Sequence, residues 1–417
     1  MGSSPKYPLT ARQELIRSCR ATELPFPVSE FRGRIRKIRS AMAEAGIDML
    51  FLSAPESMFY VCGYRAEWYQ AQSPKMWPAS SGVAVHVGSP DVILFDSTDE
   101  ELMVRCETCA PDIRVFEGDG LREWTDWIVG ELKGEGWLDG RIGLEMWSYR
   151  PNRVISETFQ GALERHGCEV VDGTDIVRDL RAFKSEREME YIEKASKIAD
   201  IGLRAAAEII GPGVTELQVY GEVVRAMCDV GGENPGITMP VISGNRSARS
   251  HALASTRTLR KGDIVNIDLC GVFNRYHSNH ARTFSVGRPH ADVEKVVRLS
   301  ARSFDLMCEI IEPNLPVELL LGAMRKYYER AGIYRDRMWF GGYELGIAFP
   351  PDWVGQFVFD ETLDCTGKRF VPGTVVNYES NFYLPGNAGA SLLINTIVFG
   401  KKGAKMLGST PNDLIVV

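Results

Sequence analysis

The 417-residue sequence lacks any apolar run long enough to span a membrane and any long run of lysine and arginine. The first absence argues against an integral membrane protein. The second, together with a formal net charge of −7, argues against a protein that binds nucleic acids. We interpret the basic stretch from Arg32 to Arg39 as the solvated face of a helix. The N-terminal residues do not have the pattern of a signal peptide, so we expect a cytoplasmic protein.

The sequence also lacks the repeated Cys-x-x-Cys motifs of structural zinc sites. Its nine cysteines are scattered, and the one such spacing, between Cys106 and Cys109, is interpreted as reduced thiols of a cytosolic protein. Six histidines are present, and the last of them is His290. A metal site that takes a histidine from the strands predicted after that residue is therefore excluded.

The sequence does contain enough apolar residues, 44% of the chain, for two domains with separate cores. Short apolar strands alternate with helical patterns over residues 1–176, which predicts an α/β domain there and a second domain over residues 177–417. The first helix is expected to begin near Ser29, whose hydroxyl could cap it, and to end at Gly46. The strands predicted in the first domain are Ile47–Leu52, Gly82–His86, Val92–Phe95, Ile142–Glu145 and Glu169–Val171.

A loop between Tyr64 and Trp77 does not have the periodicity of a core element. It contains Arg65, Trp68 and Tyr69, and aromatic rings together with an arginine suit a small zwitterionic ligand. The loop is therefore either a lid that contacts a ligand or an ordinary loop with a few buried rings.

The second domain opens with a helix whose start is marked by a capping box of Ser185 and Glu188. A predicted hairpin from Ile264 to Val286 follows, and Asp268 lies in its first, apolar strand. Glu379 lies in a later apolar strand. A carboxylate in a buried strand is costly unless it is paired, hydrogen-bonded or used in chemistry, so both residues are candidates for a functional site.

The motifs of this domain are, in order, RAFKSERE (181–188), SGN (243–245) followed by His251, KGDIVNIDL (261–269), GGYELG (341–346) and PGTVVNYESNF (372–382). This order resembles the creatinase, prolidase and aminopeptidase P superfamily, whose catalytic domain has the pita-bread fold. The first domain resembles the N-terminal domain of the creatinase and prolidase branch. The resemblance implies an α/β (α+β) protein that forms a homodimer, with the N-terminal loop of one subunit near the active site of the other.

The metallopeptidases of this superfamily hold two metal ions with two Asp, one His and two Glu side chains. The matching positions here are, in chain order, Asp268, Asn279, Tyr343, Glu379 and Ile394. Two carboxylates with an amide and a phenol make a poor site for a divalent transition metal. We therefore expect neither a metal ion nor another cofactor.

His251 stands where creatinase-like enzymes keep their catalytic histidine, and a histidine could activate water near neutral pH without a metal. Without the resemblance, the same residue could be a loop histidine hydrogen-bonded to the backbone. The surroundings of His277, Tyr343 and Trp353 resemble ectoine hydrolases, a metal-free branch that opens a cyclic amidine. In such a site Asp268 could stabilise a cation or attack the amidine carbon.

The sequence thus predicts a metal-independent hydrolase of a C–N bond in a small zwitterionic solute, of the ectoine or creatine kind. The catalytic candidates are His251, Asp268, Glu379 and Tyr343. The candidates for substrate binding are Arg65, Trp68, Tyr69, Arg249, His277, Trp339, Glu344 and Trp353. His277 could instead be a structural hydrogen-bonding group. Three alternatives remain: a metallopeptidase acting on Xaa-Pro dipeptides, a lyase acting on a zwitterion such as dimethylsulfoniopropionate, and an inactive binding module.

Overall fold

The computed structural model of the chain describes residues 10–19, 24–65, 75, 78, 81–118 and 120–417. The chain divides into two compact units, Met1–Leu180 and Arg181–Val417, and each has its own sheet and apolar core. None of the helices in these residues combines the length and the apolar character that a membrane crossing requires.

The first unit is built on a mixed sheet with the strand order β4-β3-β2-β1-β5-β6, in which β1 runs antiparallel to β2 and parallel to β5. Its strands are β1 (Met49–Leu52), β2 (Gly82–His86), β3 (Val92–Ser97), β4 (Asp112–Phe116), β5 (Arg141–Leu144) and β6 (Glu169–Asp172). Its helices are α1 (Ala11–Ser18), α2 (Val28–Ala45), α3 (Pro55–Cys62), α4 (Glu101–Glu107), α5 (Leu121–Gly134), α6 (Arg153–Arg165) and α7 (Thr174–Ala182), the last of which contains the boundary.

The core of this unit follows from the period of its helices. In α5 the buried residues Trp124, Ile128 and Leu132 recur every four positions, so one stripe faces the sheet. Phe159 of α6 packs against Phe51 of β1 with ring centroids 4.6 Å apart. Each such side chain contributes roughly 1.5–3 kcal/mol by its removal from water, and together these contacts hold the helices on the sheet.

Four sequence expectations for this unit need correction. Arg34, in the stretch interpreted as a solvated face, is 3% exposed and donates to the Tyr60 carbonyl at 3.1 Å. Helix α2 begins at Val28 without a side-chain cap, so the capping role predicted for Ser29 is wrong, whereas Gly46 does end the helix in a left-handed conformation with φ of 65°. The parallel strand β4 and the short helices α3 and α4 were not predicted. Cys106 forms a disulfide with Cys19, so the expectation of a reduced thiol at Cys106 is wrong. The periodicity of the sequence does not show that the end of α1 lies beside α4.

The second unit contains a larger sheet with the strand order β12-β11-β14-β15-β9-β8-β7. Its helices are α8 (Glu186–Ile209), α9 (Glu216–Cys228), α10 (Ala291–Ile310) and α11 (Val317–Ala331). Its strands are β7 (Val241–Ser243), β8 (Ile264–Phe273), β9 (Tyr276–Ser285), β10 (Leu315–Pro316), β11 (Arg337–Tyr343), β12 (Val358–Asp360), β13 (Arg369–Phe370), β14 (Val375–Tyr383), β15 (Ala390–Gly400), β16 (Gly403–Met406) and β17 (Ile415–Val416). The capping box of Ser185 and Glu188 is confirmed at the start of α8.

The helices cover one face of this sheet and leave the other for the site. At Gly271 of β8 a Cβ atom would lie 1.9 Å from the backbone of α8, so a glycine is needed for the helix to pack this closely. Tyr328 of α11 likewise reaches β14, where its hydroxyl lies 2.9 Å from that of Tyr378. Side chains alternate along a strand, so Asp268 and Glu379 point to the face away from these helices.

Candidate active site

Asp268 and Glu379 belong to one row of residues that crosses four neighbouring strands. Asp268 of β8 pairs with Ala281 of β9, Ala281 pairs with Ile394 of β15, and Ile394 pairs with Glu379 of β14. Residues paired directly across strands share a face of the sheet, so both carboxylates lie on the same face. Both are half-buried. The local fold thus brings together two carboxylates that are 111 residues apart in the chain, with only apolar residues between them in the row.

Three asparagine side chains hold these two carboxylates. Asn279 donates a hydrogen bond to Asp268 Oδ1 at 2.8 Å, and Asn381 donates one to Glu379 Oε2 at 2.7 Å. Asn377 donates to Glu379 Oε1 at 3.0 Å and also to Asn279 Oδ1 at 2.9 Å. An unbroken chain of amide hydrogen bonds therefore connects one carboxylate to the other.

The environment favours protonation of this pair. Burial and, next, the charge of Asp268 raise the pKa of Glu379 to about 8, although hydrogen bonds from the neighbouring amides oppose the shift. Burial also raises the pKa of Asp268 to about 6, against the hydrogen bond from Asn279. Near neutral pH the two carboxyl groups together carry one proton, and it resides mainly on Glu379, which has the higher pKa.

Tyr343 and Trp353 border the amide chain. The Tyr343 hydroxyl lies 3.4 Å from Asn279 Oδ1, to which it donates, and it accepts a hydrogen bond from the Trp353 indole at 3.0 Å. Burial, followed by the nearby carboxylate charges, raises the pKa of Tyr343 well above its ordinary value. The phenol is therefore a neutral hydrogen-bond donor. Trp353 is 4% exposed, so its ring closes this side of the site.

Arg249 and His251 lie on the loop between β7 and β8, and both are exposed. The charge of His251 acts to lower the pKa of Asp268, which puts the imidazole within electrostatic range of that carboxylate. Neither side chain makes a hydrogen bond or an ion pair with another described residue. One polar face of the second unit thus combines a carboxylate pair and a phenol, and the His251 imidazole lies within electrostatic range of Asp268.

Two family models match the chain, one for each unit. The model described as metallopeptidase family M24 matches residues 190–401, which is just over half of the sequence. The chain belongs to metallopeptidase family M24. The model described as the creatinase/prolidase N-terminal domain matches residues 34–183. The superfamily resemblance seen in the sequence is confirmed, and with it the expected combination of an N-terminal α/β domain and a pita-bread domain.

Relatives of the chain are mainly peptidases. It is 26% identical over 383 residues to an Xaa-Pro dipeptidase of Pyrococcus furiosus, covering 92% of this chain and 99% of the relative. It is 27% identical over 422 residues to an ectoine hydrolase of Halomonas elongata, covering 94% and 98%. The solved structure of an Xaa-Pro dipeptidase from Bacillus anthracis has a TM-score of 0.76 at 21% identity, covering 93% of this chain and 100% of that one. The chain is thus a member of a hydrolase family.

The name of the family implies metal ions, and the residues at this site do not fit them. Among the described residues, no three His, Cys, Asp or Glu side chains are grouped so that they could hold an ion. Asp268 Oδ1 and both Glu379 oxygens accept hydrogen bonds from amide N–H groups. These N–H groups compete with a cation for the same oxygens. The remaining donors are a phenol and amides, which bind transition metals poorly.

Two of the residues predicted to bind substrate, His277 and Glu344, are buried and hydrogen-bonded within the second unit. His277 is fully buried, and its ring nitrogens contact the Gly236 N–H at 2.9 Å and the Arg275 carbonyl at 3.0 Å. Burial and, next, the charge of Arg275 lower its pKa to about 3, so the ring is neutral. Glu344 is 6% exposed and accepts a hydrogen bond from Lys184 at 2.5 Å.

Trp339 donates its indole N–H to Asp360 at 3.0 Å, and it pairs with Asn381 of β14, so its side chain lies on the same face of the sheet as Glu379. Arg65 belongs to the first unit, where it forms an ion pair with Glu107 at 3.8 Å. Trp68 and Tyr69 lie outside the described residues. Of the substrate-binding candidates in the second unit, the structure brings Trp353 and Trp339 to the site, and no contact among the described residues places the Arg249 side chain there.

Asn377 and Asn381 were not predicted as site residues. Both lie two positions from Glu379 on β14, so the strand period alone puts all three side chains on one face. Both asparagines lie in the PGTVVNYESNF stretch, but a neutral amide in a strand costs less to bury than a carboxylate and so does not by itself indicate a site. Cys270 was missed for a similar reason: it lies two residues from Asp268 and directly opposite Asn279.

Proposed function

We propose that the chain is a metal-independent hydrolase that cleaves a C–N bond in a small zwitterionic solute of the ectoine or creatine kind. The observation that carries the proposal is the chain of amide hydrogen bonds from Asp268 to Glu379. These amides supply fixed positive dipoles at the positions where a metallopeptidase needs cations. They leave Asp268 Oδ2 without a donor among the described residues, so this oxygen can accept a hydrogen bond from an N–H group of an organic cation, whereas one free carboxylate oxygen is too few for a metal ion.

The charges of the site suit a zwitterion. Asp268 attracts the amidinium or guanidinium group of the solute, and its partner Glu379 carries the shared proton. Arg249 stands two residues from His251 on an exposed turn, where its guanidinium can pair with the carboxylate of the solute. A relative described as an ectoine hydrolase, 27% identical over nearly the whole chain, also supports this class of substrate.

Hydrolysis then needs three events at the amidine carbon. His251 accepts a proton from a water molecule, and the water oxygen forms a bond to the carbon. In the tetrahedral adduct, the Asp268 carboxylate stabilises the positive charge and the Tyr343 hydroxyl donates a hydrogen bond. The C–N bond breaks while Glu379 gives its proton to the departing nitrogen, which leaves as an amine, and as the carbonyl forms the hydroxyl proton of the adduct passes through solvent to that amine. The imidazolium returns the proton to Glu379 through solvent, so the protons balance.

A turnover assay in the presence of a chelator tests the proposal. The purified chain is incubated with EDTA and ectoine, creatine or an Xaa-Pro dipeptide, and products are followed by NMR. We expect turnover of a solute despite EDTA, and a loss of about 10²–10⁴-fold in kcat for His251→Gln. His166→Gln, at an exposed histidine of the first unit, is the matched control and should retain activity.

Other outcomes contradict the proposal in different ways. Loss of activity in EDTA and recovery in Mn²⁺ would establish a metalloenzyme. An unsaturated acid among the products would identify a lyase. An absence of turnover in every assay, together with solute binding that survives His251→Gln, would identify a binding module.

The second candidate is an Xaa-Pro dipeptidase. It is favoured by the relatives, among them an Xaa-Pro dipeptidase of Pyrococcus horikoshii that is 31% identical over 278 residues, covering 67% of this chain and 76% of the relative. The donor set argues against it, because the positions of Asn279, Tyr343 and Ile394 supply neither a carboxylate nor an imidazole. The dipeptide arm of the same assay separates the two candidates.

A further inference from the structure

The loop that presents His251 runs between β7 and β8 and contains little regular structure beyond a short 3₁₀ turn at Gly244–Ala248. A general base must be held within hydrogen-bonding reach of its water, so an irregular loop needs an internal support. His251 makes no hydrogen bond to another described residue that could provide it. The position of His251 therefore depends on how the two ends of the loop, its stems at Ser243 and Ser255, are held.

Glu216, at the first turn of α9, contacts both stems. Its Oε1 accepts hydrogen bonds from the Ser243 N–H at 2.9 Å and the Ser243 hydroxyl at 2.7 Å. Its Oε2 accepts from the Ser255 N–H at 3.0 Å and the Ser255 hydroxyl at 2.6 Å, and also from Arg246. Ser243 enters the loop and Ser255 leaves it. One carboxylate thus joins the two ends of the segment that carries His251.

The surroundings make this carboxylate a fixed charge. The Glu216 side chain is fully buried, and although burial alone would raise its pKa, the hydrogen bonds from Ser255, Ser243 and Arg246 lower it. Arg246 also donates to the Ser255 hydroxyl at 2.9 Å, so it ties the same two stems a second time. A buried carboxylate with five hydrogen bonds keeps its geometry, because losing any one of them leaves a polar group unpaired.

We propose that Glu216 is a positioning residue of the active site, which holds the His251 loop in its working geometry by joining Ser243 to Ser255. This inference rests on the proposed catalytic role of His251. Glu216 is buried at the base of the loop, so it acts through the loop and does not touch the substrate. Its conservative replacement, Glu216→Gln, keeps the volume but turns one acceptor oxygen into an N–H donor that faces donors of one stem.

Asp200 offers a matched control in the same unit. Its carboxylate is also buried, it accepts four hydrogen bonds from the N–H and hydroxyl groups of Ser409 and Thr410, and one of its oxygens lies 3.6 Å from His280 Nδ1. These residues belong to a different segment from the His251 loop. Asp200→Asn therefore disturbs a comparable hydrogen-bond network without releasing either stem. Its effect on loop exchange and kcat shows how much a general structural disturbance contributes.

The first arm of the test needs no substrate. The imidazole resonance of His251 is assigned by its disappearance in His251→Gln, and amide hydrogen exchange is followed across the full-length chain. In Glu216→Gln we expect a shifted or broadened His251 resonance and at least tenfold faster exchange in residues 243–257. In Asp200→Asn we expect both to match the unmodified chain. An unchanged His251 resonance and unchanged loop exchange in Glu216→Gln would overturn the proposal.

The second arm uses whichever solute the chain turns over. Glu216→Gln should lower kcat by about tenfold or more and leave KM within about threefold, because the base is displaced while the cation site is intact. An equal loss of kcat in Asp200→Asn would show a merely structural effect. If the unmodified chain turns over no solute, the proposed function fails, and the first arm still decides whether Glu216 controls the loop.

Discussion

Ile394 lies directly opposite Glu379 on the neighbouring antiparallel strand, and its side chain is 1% exposed. The resemblance to metallopeptidases assigns a second Glu to the position of Ile394. An apolar group there cannot bind a cation, and it also displaces water from the Glu379 carboxylate. The same substitution therefore removes a metal ligand and favours the protonated acid that the proposed mechanism needs.

The first prediction concerns metal binding. Neither Mn²⁺ nor Co²⁺ should raise the thermal midpoint of the chain above its value in EDTA, because the donor set is incomplete. A specific ion at 100 times its Kd would stabilise the native state by about 2.7 kcal/mol, which thermal-shift measurement detects easily. The combined replacement Asn279→Asp, Tyr343→His and Ile394→Glu should gain a Mn²⁺-dependent rise. An ion-dependent rise in the unmodified chain would contradict the assignment.

The second prediction concerns the pH dependence of stability. The pKa of Glu379 lies at about 8 in the native state against an ordinary value of 4.5. Between these pH values the native state holds a proton that the unfolded chain releases, so the free energy of unfolding falls as pH rises through this window. The fall attributable to Glu379 should be roughly 1–3 kcal/mol. Glu379→Gln should therefore flatten the profile of urea midpoints between pH 5 and pH 8.

The control for this measurement is Glu309→Gln, at an exposed residue of α10. It should leave the slope of the pH profile unchanged. Parallel profiles for Glu379→Gln and the unmodified chain would show that Glu379 is ionised across the window, and the proposed proton donor would be lost. Activity provides a second readout, because Glu379→Gln removes the proton donor and should lower kcat by about 10²-fold or more.

Much of the fold could be predicted because hydrophobic periodicity and the residues that start and end helices depend only on nearby sequence. The capping box of Ser185 and Glu188, the glycine at position 46 and the apolar strands of the hairpin all formed as expected. The first cap failed since Pro27 precedes Val28 and begins the helix one residue before Ser29. Pro27 is itself the N-cap residue, and because its side chain has no hydrogen-bond acceptor the helix starts without a side-chain cap.

Site residues could be predicted from the sequence only where burying that one residue would be energetically unfavourable. Asp268 and Glu379 were found because a carboxylate in an apolar strand is unfavourable alone. The role of His277 could not be predicted, because its partners are backbone groups of Gly236 and Arg275 that only the folded chain brings together. Glu216 was missed for the same reason, since its partners lie 27 to 39 residues along the chain.

The third prediction concerns the pair Tyr343 and Trp353. Tyr343→Phe removes the acceptor of the Trp353 indole and the donor to Asn279. It should cost about 1–3 kcal/mol, because a buried N–H is left unpaired. It should also lower kcat by about tenfold. Trp353→Phe in the same chain removes the unpaired donor, so the double variant should be less destabilised than the sum of the two single variants. Additive urea-denaturation results would show that the hydrogen bond contributes nothing.

The fourth prediction tests the structural role assigned to Glu344. Its partner Lys184 is 2% exposed at the side chain, and the two form a buried ion pair. Lys184→Met should lower the free energy of unfolding by about 3 kcal/mol, because it leaves a buried carboxylate without its cation. Adding Glu344→Gln removes that charge and keeps an oxygen that can accept from the Gln356 N–H, so stability should partly return.

A surface ion pair supplies the control for this experiment. Lys405 and Glu193 lie 2.7 Å apart with side chains 57% and 38% exposed. Lys405→Met should change the free energy of unfolding by less than about 1 kcal/mol, since water and salt screen an exposed pair. If Glu344 instead bound the substrate, Glu344→Gln alone would raise KM with no gain of stability in the Lys184→Met background. Recovery of stability with KM unchanged would fix Glu344 as part of the framework behind Tyr343.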